Sequence, residues 1–261
     1  MEVASIQAAF EPGATPSERI DHVLSLLDAV HGADLVVLPE LWHVGYFNFE
    51  SYDDAAEPVH GPTVGALADA AKDLGAYVHA GSIVERAEGN ELFNTSVLIA
   101  PEGRVVHIYR KVHLFGYESQ EAHRLTPGAE IKTVETDLGV LAMATCYDLR
   151  FPELFRLLAD AEVALVTSAW PVPRVEHWRL LTRARALDNL FYVVACNAAG
   201  ECNGTQLAGR SVIVDPWGSV VAEAGAGEEV LRASIDAPAV AKVRSAFPFL
   251  DDRRIEVGRK S

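Results

Sequence analysis

The chain is poor in cysteine. Cys146, Cys196 and Cys202 are its only three in 261 residues, too few for a disulfide framework. Free thiols suit a reducing compartment, and a cytoplasmic placement is expected. Long apolar runs are also missing, and none approaches the roughly 18–20 residues needed to span a bilayer. The first residues, Met1-Glu-Val-Ala-Ser-Ile-Gln7, open on an acid and read as a strand rather than a leader peptide. Cations are scarce: 22 Lys and Arg stand against 37 Asp and Glu, a formal net charge of −15. That balance argues against nucleic acid or an anionic membrane surface as a partner. It also means that an anionic substrate needs a local basic pocket. Nine histidines are scattered, with none beside cysteines or carboxylates at ligand spacing, so no metal is expected. No phosphate-cradling glycine loop or coenzyme motif occurs, and no cofactor is expected. Repeats of solenoid period are absent. Asn94-Thr-Ser and Asn203-Gly-Thr match the glycosylation acceptor pattern and read as chance matches in an unsecreted chain.

What is present is a chain that is 49% hydrophobic, enough to bury one large core, and a single domain over residues 1–261 is expected. Apolar runs of strand length alternate with segments of helical period. Val3–Phe10, Leu35–Leu38, Tyr77–Val84, Phe93–Ala100 and Val105–Arg110 read as strands, the last two joined by the Pro101-Glu-Gly-Arg turn. Pro16–Val30 and Pro62–Leu74 read as helices, the second stopped by Gly75. Further along, Val140–Thr145, Val163–Ser168 and Phe191–Asn197 read as strands, interleaved with helices over Pro152–Ala159 and Glu176–Leu190. Strands near Gly209–Val214, Ser219–Ala222 and Val230–Ile235 precede a last helix over Pro238–Ala246. The alternation argues for a layered α/β fold.

Three segments end a strand-like run on a reactive side chain. Gly139-Val-Leu-Ala-Met-Ala-Thr-Cys146 leads through a turn into Pro152, a geometry that lifts a thiol out of a strand end. A helix N-terminus and a neighbouring cation lower a thiol's pKa, and a lowered pKa is expected here. Asp34-Leu-Val-Val-Leu-Pro-Glu40 ends on a carboxylate, and Val105-Val-His-Ile-Tyr-Arg-Lys111 on an ammonium. Taken singly, Cys146 is a small buried hydrophobe, Glu40 a helix-start acid and Lys111 a solvated strand end. Glu and Lys are rarely fully buried unless paired, so their convergence indicates a polar site.

Leu38-Pro-Glu40-Leu-Trp, Tyr109-Arg-Lys111-Val-His-Leu-Phe and Cys146-Tyr-Asp-Leu-Arg-Phe-Pro-Glu-Leu154 together resemble the nitrilase superfamily of carbon–nitrogen hydrolases. The resemblance runs from Ile6-Gln7-Ala8 to Val214-Asp-Pro-Trp-Gly218. It implies a four-layer αββα sandwich, homodimers or higher homo-oligomers formed by packing helices, and a C-terminal tail from about residue 249 that reaches a partner subunit. It also implies a Glu–Lys–Cys site in which Cys146 attacks an amide carbonyl to give a thioester. Glu40 then moves protons, while Lys111 and the Tyr147 backbone N–H meet the oxyanion. A second glutamate is implied on the loop after the lysine. Glu118 and Glu121 both qualify by location; the resemblance implies a glutamate seven residues before a loop glycine, a pattern that Glu121 and Gly128 match, and so points to Glu121.

The residues after the cysteine resemble the amidase branch, as do Ser168-Ala-Trp170-Pro and Arg174…His177-Trp178, which look like bacterial ω-amidases. Nitrilase and carbamoylase activities are the alternatives within the family. Trp170 and Tyr46 are read as pocket walls or as plain core aromatics. Arg174 is read as a partner for a substrate carboxylate or as a surface arginine. Asp148, Arg150 and Glu153 are expected to form an ion-pair network bracing the cysteine turn, and His43, His113 and His177 to be satisfied core or rim histidines. Cys196 is read as a strand end and Cys202 as part of a polar loop, neither of them catalytic. Two rivals stand outside this scheme: a papain-like Cys146–His177 pair, which leaves Glu40 and Lys111 idle, and a silent binding protein, which leaves all three idle.

Overall fold

The computed structural model describes residues 1–117 and 119–257. Two six-stranded sheets lie face to face. The first runs in the order Glu229–Ser234, Glu2–Gln7, Leu35–Val37, Tyr77–Arg86, Leu92–Ile99, Val105–Arg110. The second runs Val134–Thr136, Gly139–Thr145, Val163–Ser168, Tyr192–Asn197, Val212–Val214, Val220–Glu223. In these orders both sheets pair antiparallel, parallel, parallel, antiparallel, antiparallel. The halves therefore share one plan that no sequence period reveals.

Each parallel step is bridged by helix, as parallel strands require. Pro16–Leu26 and Pro62–Leu74 serve the first sheet, Pro152–Leu157 and Val175–Asn189 the second. The first helix opens on a capping box between Thr15 and Glu18 with Pro16 at its first position, and Gly75 closes the second helix at φ 63°. Side chains alternate across a strand, and this sorts the layers. Val3, Leu35, Val37 and Leu98 face the second sheet, sharing a core with Leu141, Met143 and Leu165. Val36, Val78, Val97 and Ile99 point the other way onto Val23, Leu27, Val64, Leu67 and Ala71 of the helices. Trp178 and Ala186 of the long helix cover the second sheet. The result is the expected four-layer αββα sandwich.

Val105–Arg110, Val163–Ser168 and Pro62–Leu74 coincide with the sequence reading. Val3–Phe10 does not hold as one strand. It breaks after Gln7, and Ala9–Phe10 joins Ala199–Cys202 and Thr205–Gln206 in a small third sheet. Cys202 is therefore a buried strand residue, packed beside Arg19, and not part of a polar loop. Among the described residues no helix is long and apolar enough to cross a membrane.

Candidate active site

The reactive side chains gather where strands of both sheets end, the usual place for a crevice in α/β sheets. Glu40 follows Leu35–Val37. Its backbone N–H reaches Ser168 O (3.3 Å) on the second sheet, and its Oε2 accepts the Ala169 N–H at 3.0 Å. Gly81, at φ 67°, lets the neighbouring strand pass beneath: a Cβ there would collide with the Pro39 carbonyl oxygen. Lys111 continues from Val105–Arg110, with its N–H on Asn94 O at 2.8 Å. Gly128 donates to Lys111 O at 2.8 Å, and a Cβ on it would strike the Arg110 carbonyl. The loop carrying Glu121 is thus folded back over the lysine. Cys146 ends Gly139–Thr145 at φ 46°, a left-handed conformation that costs a non-glycine residue about 1–3 kcal/mol and signals functional strain. It opens a 3₁₀ turn, Cys146–Arg150, ahead of the helix at Pro152.

Lys111, Glu40 and Glu121 are all fully buried. Lys111 Nζ lies 2.8 Å from Glu40 Oε1 and 2.8 and 2.9 Å from the two Glu121 oxygens. Glu121 opens a one-turn helix, Glu121–Arg124, inside what reads as loop, and accepts the Phe115 N–H at 2.7 Å and the Tyr46 hydroxyl at 3.1 Å. Glu118 lies outside the described residues. Burial works against the ammonium of Lys111, but Glu121 and Glu40 outweigh it and hold its pKa well above the ordinary range. Burial raises the Glu40 carboxyl; Lys111 opposes this and Glu121 adds to it, so the pKa stays raised.

The Cys146 sulfur interacts with Glu40, Lys111 and the Ser168 hydroxyl. Its thiol pKa is raised, not lowered as the turn and nearby cation suggest. Burial and the Glu40 charge outweigh Lys111 and Ser168. A resting thiol that holds its proton needs a base at hand, and a carboxylate raised towards neutrality suits that task.

Cys146 opens onto a pocket walled by Tyr46, Phe115, Tyr147 and Trp170, with Arg150 and Arg174 also in its lining. Trp170 is both wall and core, being 2% exposed with Nε1 donating to Arg174 O at 2.7 Å. The Arg174 guanidinium sits 5.4 Å from the Phe115 ring centre, and that of Arg150 sits 4.9 Å from the Trp170 ring. An acidic protein thus carries two cations in this one pocket. The bracing network expected of Asp148, Arg150 and Glu153 is not formed. Asp148 turns back to cap its own turn, taking Thr145 N–H (2.9 Å), the Tyr109 hydroxyl (2.7 Å) and His113 (3.0 and 2.8 Å). Arg150 points instead across the aromatic wall to His177 Nδ1 at 3.3 Å, and Glu153 is exposed.

His177 is thereby a rim residue, and no contact pairs it with Cys146. His113 stacks on Phe151 at 3.7 Å. His43 is buried but not satisfied: neither ring nitrogen finds a partner among the described residues, and burial beside Arg19 takes its pKa down to about 3. Among the described residues no group of three His, Cys, Asp or Glu side chains could hold a metal ion. Sequence reasoning gave no site role to Asn94, Ser168 or the Ala169 and Phe115 N–H groups, and it assigned Arg150 to bracing; of these only Asn94 lay outside a recognised motif.

The carbon–nitrogen hydrolase family model matches residues 2–245. The chain belongs to the carbon–nitrogen hydrolase family. It is 36% identical to the 2-oxoglutaramate amidase of Paenarthrobacter nicotinovorans, over 98% of this chain and 90% of that protein. It is 38% identical to the 2-oxoglutaramate amidase of Bacillus subtilis, over 85% of each. Among solved structures, a CN-hydrolase superfamily protein of Xanthomonas campestris, described with an arsenic adduct in its active site, aligns with TM-score 0.90 and 32% identity over 99% of both chains. Carbon–nitrogen hydrolase membership accounts for the sandwich.

Proposed function

We propose that this enzyme hydrolyses the terminal amide of small dicarboxylic acid ω-amides, the class that includes 2-oxoglutaramate. The chain is an amidase. One observation carries the mechanism: a fully buried ammonium bridges two buried carboxylates at 2.8 Å, and the Cys146 sulfur lies against one of them. Cys146 Sγ attacks the amide carbon as its proton passes to Glu40. The oxygen, now negative, is met by Lys111 and the Tyr147 N–H. Glu40 returns the proton to the nitrogen, ammonia leaves, and the acyl group stays on sulfur as a thioester. Water, deprotonated by Glu40, then attacks the thioester. The carboxylic acid departs and the proton returns to the thiol. Glu121 holds Lys111 in place, and Tyr46 serves that glutamate as well as walling the pocket.

Arg150 and Arg174 favour a substrate with a distal carboxylate, which answers the charge problem of an acidic protein. Sequence relatives that are 2-oxoglutaramate amidases support the same reading. Ammonia release from a panel of ω-amides, neutral amides, nitriles and carbamoyl compounds tests it. Release from ω-amides above all is expected, whereas release from nitriles and not amides would overturn the assignment.

The assembly proposed is a homodimer of single-domain subunits. The long helix leaves Leu180 and Leu187 exposed, Trp217 and Val220 are exposed as well, and the tail beyond Phe249 leaves Ile255 85% exposed and open to a partner. Sedimentation showing monomer alone at micromolar concentration would contradict it. A cytoplasmic location is proposed from the free thiols.

A further inference from the structure

Asn94 lies within the strand Leu92–Ile99 and is fully buried. Its Nδ2 donates one hydrogen to Glu40 Oε1 at 2.8 Å and the other to Glu121 Oε1 at 2.9 Å. The same two oxygens receive Lys111 Nζ at 2.8 Å each. Glu40 Oε1 therefore has two donors on it, while Oε2 has the Ala169 N–H at 3.0 Å. An oxygen whose lone pairs are already taken is a poor seat for a third hydrogen. Asn94 holds this position at a cost, because its own Oδ1 has no partner among the described residues, and an unmet buried carbonyl is unfavourable. Turning the amide over would aim that oxygen at two carboxylates, so the orientation shown is the only favourable one.

We propose that Asn94 is a positioning residue that closes Glu40 Oε1 to protons and so routes each proton transfer of the reaction through Oε2. The inference rests on Glu40 being the base. A serine could supply one of the two hydrogens, an alanine neither. An aspartate would add a third carboxylate to a site that already has two.

The titratable groups around Glu40 are Lys111, Glu121, Cys146, Tyr46 and Tyr52; of the two phenols, Tyr46 donates to Glu121 and Tyr52 to the Tyr46 carbonyl. Asn94 favours the ionised carboxylate, so its removal makes Glu40 protonate at higher pH. The test uses the full chain and its Asn94→Ala and Asn94→Ser variants. Alkylation of Cys146 by iodoacetamide is followed by intact mass between about pH 5 and pH 9, alongside kcat and KM on an ω-amide. The acidic limb of alkylation is expected to move up by about one pH unit in Asn94→Ala, with a smaller displacement in Asn94→Ser. Turnover should fall about ten- to a hundredfold, with KM held within about threefold. An alkylation limb that stays in place in both variants, or a KM that rises in step with the loss of kcat, would overturn the proposal. Alkylation needs no amide turnover. A chain that released no ammonia but showed the displaced limb would refute the amidase reading and leave the role of Asn94 standing.

Discussion

Lys111→Met removes the cation between Glu40 and Glu121 while keeping most of the volume of a fully buried side chain. Three contacts of 2.8–2.9 Å disappear, and two carboxylates are left to face each other away from water. Breaking one partner out of a buried ion cluster costs about 3–5 kcal/mol. In a chain of this length each kcal/mol moves the Tm by roughly 2–4 °C, so a drop of roughly 10 °C is expected at pH 8. The variant relieves its repulsion by binding a proton, which means that a carboxyl is raised further in the folded state than in the unfolded one. Stability carried by such a group is present below the unfolded pKa and is lost as pH climbs towards the folded value. The Tm deficit should therefore be small near pH 5 and grow towards pH 8. A proton parked on Glu40 also disables the base, and the oxyanion loses its cation, so turnover should fall by at least about 10³-fold. Differential scanning calorimetry across that pH range, beside ammonia release, gives both readouts. A deficit independent of pH, or turnover within tenfold of the parent, would refute the reasoning.

Glu121→Gln should cut kcat about a hundredfold or more by loosening Lys111, whereas the same change at Glu118 should leave turnover intact; the reverse outcome would reassign the second glutamate. Arg174→Ala and Arg150→Ala should each raise KM for an ω-amide about tenfold or more while changing neutral amides little, as expected for loss of a charge-assisted bond; equal effects on both substrates would remove the carboxylate subsite. Glu40→Gln should remove the base that takes the Cys146 proton and slow alkylation at neutral pH, because burial, the larger cause of the raised thiol pKa, remains after the Glu40 charge is gone; unchanged alkylation kinetics would show that another group takes the proton. Turnover should survive prolonged chelation, and its loss with recovery on adding back a metal ion would contradict a metal-free mechanism.

The core of the site was legible in the residues because Glu40, Lys111 and Cys146 each end an apolar run, where a charge or thiol is conspicuous. Glu121 was picked out by the family resemblance, through its interval to Gly128, a glycine that passes close to the Arg110 carbonyl. Asn94 was not legible. A neutral residue inside a strand sends no signal, and in the sequence it passed for part of a chance glycosylation pattern. The direction of the Cys146 pKa was misread for a related reason: local motif suggests a helix start and a cation, while burial and the Glu40 charge come from distant segments. Arg150 was assigned to a bracing network because acids flank it in sequence, yet its 3₁₀ turn sends Asp148 and Arg150 to opposite sides. The layered fold was legible from the alternation of elements. The break after Gln7 and the third sheet depend on Ala199–Cys202, nearly two hundred residues away.

The central claim is that sulfur, carboxylate and ammonium act together to carry an acyl group. Rapid-quench mass spectrometry with a turned-over ω-amide tests it most directly. The account predicts a transient adduct equal to substrate less ammonia, confined to the peptide containing Cys146 and absent from Cys146→Ser. Steady release of ammonia with no adduct on that peptide, or turnover that persists in Cys146→Ser, would contradict it.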